Sequence, residues 1–355
     1  MKILVLGRQY IAKSEDIIQS LQDLGHTVHY LLFPSLQYPK AYYNTHKGEI
    51  DRPIYKSKIS YYYSHYNNIR TILKSSQFDK DYDYILAIDW FEANISMSIR
   101  KYFSKTKIIY YAYDYYFYNN IFSSRYIINK IEQSAYMRAD IVWAVNQQII
   151  EEHKKKNYNR DKVFALPLGI KSKNIPEYKP NPKQILFMGN FKEGHNLRLL
   201  VNTFAQLPVE YHLHLIGQGN MYNEIESLIQ DLRATNITLY GFKTEQETID
   251  IIVKNKISYG IAMYENTQEI LCADPGKIKD YLAFGLPIIT TNNHSMSQEI
   301  KEYNLGVVLQ DINMNIEKYI MNLNDQNIQT FKSNIKDYIQ NHSYQVILSE
   351  ALSKI

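Results

Sequence analysis

Residues 273–291 read ADPGKIKDYLAFGLPIITT, and this stretch predicts a turn, a short helix, a second turn and a buried strand. The turn falls at Asp274-Pro275-Gly276, because proline fixes φ and glycine accepts a positive φ. Residues 277–284 then have the spacing of about two helical turns. Gly285 is placed to end that helix. The apolar run at 286–289 is typical of a buried parallel strand.

The start of this predicted helix is suited to binding an anion. The first turn of a helix leaves backbone N–H groups free, and Lys277 adds a positive charge beside them. Asp280, one turn further on, would offer a carboxylate oxygen near the same place, which a ribose diol requires. An ordinary surface helix followed by a core strand fits the same residues. The face expected to pack inward consists of Ile278, Tyr281 and Leu282.

The composition is that of a globular chain with room for two cores. The chain has 355 residues, of which 45% are hydrophobic and 21% charged. Its net charge of +4 is too small to indicate nucleic acid as a partner. The single cysteine, Cys272, rules out an intrachain disulfide framework and favours the cytoplasm. The N-terminus, MKILVLG, is too short in apolar residues for a signal peptide, and no stretch approaches the ~20 apolar residues of a membrane span.

Strands and helices alternate along both halves of the chain. Residues 3–6 predict a parallel strand, a helix follows from Ser14, and residues 28–33 predict the next strand. Gly7 is followed by Arg8-Gln9-Tyr10 rather than by a GxGxxG pattern, which argues against a dinucleotide-dependent dehydrogenase. Residues 171–183, KSKNIPEYKPNPK, carry three prolines in a polar setting and predict a linker. We therefore expect two doubly wound α/β domains facing a cleft.

Acidic residues follow two strands of the first half. Asp89 comes directly after the strand at 84–88, and Asp114 follows the strand at 108–112. Ligands of open α/β sheets bind outside the carboxyl ends of the strands, so both are candidates for a site. Asp114 could also cap a helix or anchor a turn. Arg8, after the first strand, is either a cleft residue or a solvated arginine.

Three other segments of the first half leave their roles open. Residues 124–137 predict a helix with Ile127, Ile131 and Ala135 on one face. The tyrosines at 61–63 form either one face of a helix or a loop that faces a partner. Lys154-Lys155-Lys156 is typical of a solvated helix end, although with other lysines it could also contact anionic lipid.

At this level the chain resembles the GT-B glycosyltransferases, in particular the family 4-like, group 1 transferases that build glycans. DPGKIKDYLAFGLPIIT, at 274–290, resembles their P-x-K-x-x-E-Y-L-A-x-G-x-P-V-I segment. Weaker similarities, in the same order along the chain, are IEQSAYMRADIVWAVNQQI at 131–149, LPLGI at 166–170, FMGNFKEGHNLRLLVNTF at 187–204, LHLIGQG at 213–219 and ITLYGF at 237–242.

The resemblance implies the domain plan and the donor site. Residues 1–168 would form an acceptor-side domain, 169–183 the linker, 184–335 the nucleotide-sugar domain, and 336–355 a C-terminal helix that packs back on the first domain. The donor would be a nucleotide diphosphate sugar, most simply a UDP-sugar, with no metal or other cofactor. The implied donor-binding residues are Gly189, Asn190, Lys192, His195, Gly217, Gly276, Lys277, Ile278 and Asp280.

Three departures from the family pattern bear on the mechanism. Asp280 stands where the family has glutamate, and Cys272 stands where retaining members have a second glutamate eight residues earlier. The usual Arg/Lys pair after Gly189 is reduced to Lys192, with His195 as a possible substitute. We therefore expect an inverting hexosyltransferase, with Asp114 as its general base.

The acceptor expected from the resemblance is a glycan or a lipid-linked sugar of bacterial polysaccharide biosynthesis, with a possible peripheral contact at the inner face of the membrane. Two other functions fit the same departures. One is a catalytically silent GT-B partner or chaperone of another transferase, and the other is a nucleotide-sugar epimerase. His212 and His214 alternate along a strand and are not expected to bind a metal.

Overall fold

The structure, a computed structural model, describes residues 1–9, 13–34, 43–50, 57–75, 79–117, 121–310 and 316–355. The chain divides into two compact units. The first comprises Met1–Leu168 together with Tyr344–Ile355, and the second comprises Gly169–Ser343. Each unit has one β-sheet flanked by helices, so the predicted α/β class is confirmed.

The sheet of the first unit has the strand order β4-β3-β2-β1-β5-β6-β7-β8. Its strands are β1 (Lys2–Arg8), β2 (Thr27–Phe33), β3 (Tyr43–Thr45), β4 (Gly48–Ile50), β5 (Tyr84–Ile88), β6 (Lys107–Ala112), β7 (Ile141–Ala144) and β8 (Val163–Ala165). In the part of this sheet with the order β2-β1-β5-β6-β7-β8, all neighbouring strands are parallel. Strands β3 and β4 form an antiparallel edge beside β2.

The sheet of the second unit is parallel, with the order β11-β10-β9-β12-β13-β14. Its strands are β9 (Gln184–Met188), β10 (His212–Ile216), β11 (Ile237–Gly241), β12 (Tyr259–Ala262), β13 (Ile288–Thr291) and β14 (Gly306–Leu309). The chain leaves β9 toward β10 and later returns to place β12 on its other side. This reversal puts a switch point, where doubly wound sheets bind ligands, at the carboxyl end of β9.

The helices connect the parallel strands in both units. They are α1 (Ser14–Asp23), α2 (Lys58–Lys74), α3 (Trp90–Ile99), α4 (Ser124–Arg138), α5 (Gln147–Lys155), α6 (Leu197–Gln206), α7 (Tyr222–Asp231), α8 (Glu245–Lys254), α9 (Gln268–Cys272), α10 (Gly276–Ala283), α11 (Ser297–Glu302), α12 (Ile316–Met321), α13 (Asp325–Asn341) and α14 (Tyr344–Ser353). No helix of the described residues is long and apolar enough to cross a membrane.

The stretch at 273–291 folds as its sequence predicts. The side chains of Ile278, Tyr281 and Leu282 on α10 are fully buried in the core of the second unit. Gly285 has a φ of +66° and ends the helix. Regular pairing of β13 begins only at Ile288, because Pro287 has no N–H to donate to the ladder.

The helix predicted at 124–137 is present as α4, but the side with Ile127 and Ile131 is not the buried one. Ala135 is buried, but Ile127 is 58% exposed and Ile131 is 36% exposed. The buried face carries Asn129, Glu132 and Gln133 instead. Glu132 accepts a hydrogen bond from the Tyr110 hydroxyl at 3.1 Å and lies 3.1 Å from His153 Nε2. Tyr110 and His153 offset part of the cost of burying Glu132, and the isoleucines lie on the outer side of the helix.

The tyrosine-rich segment at 61–63 lies in helix α2 and not in a loop. The tyrosines do not share one face, since Tyr61 is buried and Tyr63 is 70% exposed. At the other end of the chain, the helical segment breaks at His342–Ser343 into α13 and α14. Helix α14 packs on α1, where the Gln345 side chain donates to Asp23 at 3.3 Å.

Candidate functional site

The start of helix α10 offers free backbone donors to open space. Pro275 occupies the N-cap position, and no side chain caps the helix. The Ile278 N–H donates to the Pro275 carbonyl at 2.8 Å, so Ile278 has no donor to spare. Among the described residues, no acceptor pairs with the N–H groups of Gly276 and Lys277. A methyl group placed on Gly276 would meet no atom within 4 Å, so a ligand can approach these donors.

The Lys277 side chain reaches back over the loop that follows β9. Its Nζ lies 3.9 Å from the centre of the Phe187 ring and 5.5 Å from that of Tyr264. A Cβ on Gly189 would lie 3.0 Å from Lys277 Cε, so the lysine needs a glycine there. Lys277 forms no salt bridge with any residue that the structure describes. Burial lowers the pKa of Lys277 well below its usual value, and the nearby charge of Lys192 lowers it further.

His195 belongs to the same cluster and is held in its neutral form. Its Nδ1 lies 2.8 Å from the Asn190 carbonyl and 3.5 Å from Lys277 Nζ. The carbonyl can only accept, so Nδ1 carries the proton of the neutral ring. Burial first, and then the Lys277 charge, lower the pKa of His195 to about 3. The Nε2 atom of the neutral ring can therefore accept a hydrogen bond. A bound anion would raise the pKa of His195, and Nε2 would then carry a proton.

Glycines allow the loops after β9 and β10 to pack backbone to backbone. A Cβ on Gly217 would lie 1.9 Å from the Gly189 carbonyl oxygen, and Gly217 has a φ of +143°. The Gly189 N–H donates to the Ile216 carbonyl at 3.0 Å. A Cβ on Gly219 would lie 2.3 Å from Asn190 Oδ1. Gly217 thus supports the loop that carries Asn190, which is a packing role beside the donor-binding role predicted for it.

Asp280 and Cys272 flank the helix start in different ways. Asp280 is partly buried, one turn after Lys277, and its charge helps to raise the pKa of Tyr264. Cys272 ends α9, and its buried thiol forms no disulfide. Asp274, just before the helix, lies 3.7 Å from Lys279 Nζ, and both side chains are almost completely buried. This buried ion pair joins the turn to the helix that follows it.

In the first unit the charged side chains of Arg8 and Glu92 lie near Asp89. Asp89 follows β5 with a φ of +76° and accepts from the Trp90 N–H at 2.7 Å and from the Tyr116 hydroxyl at 3.1 Å. Arg8 pairs with Asp89 and lies 3.2 Å from Glu92. With 12% of its side chain exposed, Arg8 is not a solvated arginine. Burial raises the pKa of Glu92 to about 8 despite that neighbour.

Asp114 is exposed at the end of β6. Its role as a general base stays a prediction. In the second unit, His214 hydrogen-bonds with Gln184 and Tyr240, and His212 with Thr238. No group of three or more side chains that could hold a metal ion occurs among the described residues.

The rings of Phe187 and Tyr264 are residues of the cluster that the sequence did not single out. They contact the ammonium group of Lys277, which pairs with no carboxylate of the described residues. Phe187 belongs to an apolar run that predicts a strand, and Tyr264 directly follows another such run, 258–263. Neither run indicates which ring faces a ligand. The sequence-predicted residues that the structure brings together are Gly189, Asn190, Lys192, His195, Gly276 and Lys277.

This arrangement, with unpaired N–H groups and lysines at the carboxyl end of a parallel sheet, is suited to an anionic ligand such as a phosphate. The family comparison agrees. The model for glycosyl transferases group 1 matches residues 170–341, and the model for Glycosyltransferase Family 4 matches residues 15–173. The chain belongs to the group 1, family 4 glycosyltransferases, which move a sugar from a nucleotide-sugar donor. No curated protein matches the chain.

Solved structures with low sequence identity share the fold. The apo form of the lipopolysaccharide outer core galactosyltransferase WaaB is 16% identical, with a TM-score of 0.67 and 100% of both chains covered. HepE of Anabaena in complex with UDP-glucose is 13% identical, with a TM-score of 0.70 and 100% of both chains covered. Sucrose-phosphate synthase from Thermosynechococcus elongatus is 14% identical, with a TM-score of 0.70, and covers 100% of this chain and 97% of its own. The predicted GT-B fold is confirmed.

The prediction of an inverting reaction is wrong, because the transferases of this family are retaining enzymes. The prediction depended on the lack of a carboxylate at Cys272. The stereochemical course depends instead on the face of the anomeric carbon that the acceptor reaches, and the whole site determines that face. Retention also removes the reason for seeking a general base at Asp114.

Proposed function

We propose that this chain transfers a sugar from a UDP-sugar to a glycan or lipid-linked acceptor, with retention and without a metal. The observation that carries the proposal is the position of Lys277, which stands in the first turn of α10 with its unpaired N–H groups and whose amine forms no salt bridge with a described residue. An ammonium group kept without a counter-ion, next to N–H donors, is suited to a diphosphate. The complex of HepE with UDP-glucose shows that a protein of this fold binds such a donor.

The charges of the cluster also suit the reaction. As the glycosidic bond breaks, negative charge grows on the leaving diphosphate. Lys277, Lys192 and the N–H groups at the start of α10 would stabilise that charge without rearranging. The leaving phosphate oxygen can take the proton of the acceptor hydroxyl, since both lie on the same face of the sugar in a retaining reaction.

We assign the remaining donor contacts by chemistry. Asp280 would accept hydrogen bonds from the ribose hydroxyls. His195 would take up a proton and then donate to a phosphate, as a substitute for a lysine. Asn190 and the loop after Gly189 would complete the phosphate pocket, and the first domain would hold the acceptor.

We also propose that the protein makes a peripheral contact with the cytoplasmic face of an anionic membrane. Helix α4 leaves Ile127 and Ile131 exposed beside Lys130, and α2 leaves Ile59 and Tyr63 exposed at 83% and 70%. Exposed apolar side chains beside a lysine suit the interface of an anionic bilayer. The lysine run at 154–156 is less suited, because Lys155 pairs with Glu152 at 2.6 Å.

The proposal is tested with a panel of nucleotides and nucleotide sugars. UDP should raise the melting temperature, and a UDP-sugar incubated with glycan acceptors should give a product of retained anomeric configuration by NMR. Donor binding without any transfer or hydrolysis would favour the silent partner instead. Conversion of the nucleotide sugar in the absence of acceptor, with no release of UDP, would show an epimerase. A melting temperature that no nucleotide changes would count against all three.

A further inference from the structure

The two central strands of the second unit separate at the switch point. β9 and β12 pair at Ile185 with Tyr259 and at Leu186 with Gly260, and the pairing stops there. On its other side, β9 stays paired with β10 as far as Met188. Beyond Leu186, the edges of β9 and β12 that face each other therefore need other partners for their backbone groups.

The Tyr281 hydroxyl supplies both partners. It accepts a hydrogen bond from the Met188 N–H at 2.8 Å and donates one to the Ile261 carbonyl at 3.0 Å. Its side chain is fully buried. The ring fits only because residue 260 is glycine, since a Cβ there would lie 2.3 Å from the ring. One phenol thus bridges the gap between two strands that no longer pair with each other.

The position of this bridge links it to the donor cluster. Tyr281 lies next to Asp280 and one helical turn after Lys277 on α10. The residue that it holds on β9, Met188, directly precedes Gly189, over which the Lys277 side chain lies. A single side chain therefore connects the helix that carries the cation and the carboxylate to the loop that faces them.

We propose that Tyr281 is a positioning residue of the donor site, whose hydroxyl sets the distance between the start of α10 and the loop after β9. It touches no donor atom itself and acts through Lys277 and Gly189. The proposal depends on the proposed function only in taking UDP as the ligand. A ring that merely fills the core would contribute to stability without affecting the affinity for UDP.

The test is Tyr281→Phe, which keeps the ring and removes the hydroxyl. We expect the dissociation constant for UDP, measured by titration calorimetry, to rise about tenfold, because a misplaced loop and helix lose part of several phosphate contacts. The KM for the UDP-sugar should rise with it. The amide of Met188 should also exchange its hydrogen faster, since it loses its acceptor.

Tyr178→Phe is the matched control. The Tyr178 hydroxyl also donates to a backbone carbonyl of the second unit, that of Ile257, at 2.6 Å. Both variants should lower the melting temperature, but only Tyr281→Phe should weaken the binding of UDP.

Equal affinity of wild type and Tyr281→Phe for UDP would overturn the positioning role, as would an unchanged exchange rate at Met188. A wild-type protein that binds no UDP would instead overturn the proposed donor. If Tyr281→Phe does not fold, Gly260→Ala is the second variant, since its methyl group displaces the ring. A folded Gly260→Ala protein with wild-type affinity for UDP would refute the proposal.

Discussion

Replacing Lys277 by methionine should change stability and donor binding in opposite directions. Methionine keeps the length of the side chain and its contact with the Phe187 ring, but removes the charge. In the unbound protein this charge is partly buried, lies near Lys192 and forms no salt bridge with a described residue. The cation–π contacts offset its desolvation only in part.

The two magnitudes follow from these contacts. The cation–π contact contributes about 0.5–1 kcal/mol, and a sulfur–aromatic contact returns a similar amount. Removing the desolvated charge should therefore stabilise the protein by about 1 kcal/mol, which is roughly 2–4 °C in melting temperature for a domain of this size. Loss of a charge-assisted hydrogen bond to phosphate costs about 1.5–3 kcal/mol and should weaken UDP binding roughly 10- to 150-fold.

The pH dependence of stability independently tests the sign of the stability change caused by Lys277→Met. The folded-state pKa of Lys277 lies below its unfolded value, so between those two pKa values the folded protein has released a proton that the unfolded chain keeps. The stability contributed by wild-type Lys277 therefore rises with pH toward about 10. The advantage of Lys277→Met should be largest near neutral pH and should shrink as the pH rises.

Differential scanning calorimetry between pH 7 and about 10, with UDP titrations at neutral pH, measures both effects. Lys192→Met is the control: its side chain is exposed, so the melting temperature should hardly change while UDP binds more weakly. A Lys277→Met protein that melts well below wild type, or that binds UDP with wild-type affinity, would refute the reasoning.

Three further predictions concern individual side chains of the two units. Asp280→Ala should remove most of the thermal shift caused by UDP, while the shift caused by inorganic pyrophosphate should persist, because pyrophosphate has no ribose. The affinity of the wild type for UDP should increase as the pH falls from about 8 to about 6, since His195 takes up a proton when UDP binds. The affinity of His195→Gln for UDP should hardly change over the same pH range. An equal pH dependence in both proteins would contradict the proton uptake. Asp114→Asn should keep kcat within about threefold, because a retaining reaction does not require this carboxylate as a base; a loss of about a hundredfold or more would restore Asp114 as a base.

The secondary structure near the donor cluster was predictable because local rules and burial agree there. The stretch at 273–291 has a proline–glycine turn, an apolar helical face and a glycine after the last turn, and each feature indicates the same structure. The buried side of helix α4 was not predictable because it depends on partners that are distant in sequence. Glu132 is buried against Tyr110 and His153.

The stereochemical prediction failed for a related reason. It was drawn from one residue, Cys272, whereas the reaction course belongs to the geometry of the whole site. The choice between Asp89 and Asp114 was open in the sequence as well, since both follow strands in the same way. The structure distinguishes them, because Arg8 and Tyr116 reach Asp89, while Asp114 is exposed.

By itself the sequence determined the alternation of strands and helices, the helix start at Gly276 and the candidate cation at Lys277, because those features depend on neighbours along the chain. Only the tertiary structure decided that Lys277 lies over Gly189 between two aromatic rings, and that Tyr281 joins two separated strands beneath it. The contacts with Phe187, Met188 and Gly189 connect residues about 90 positions apart on different elements, and no local pattern encodes a distance between elements.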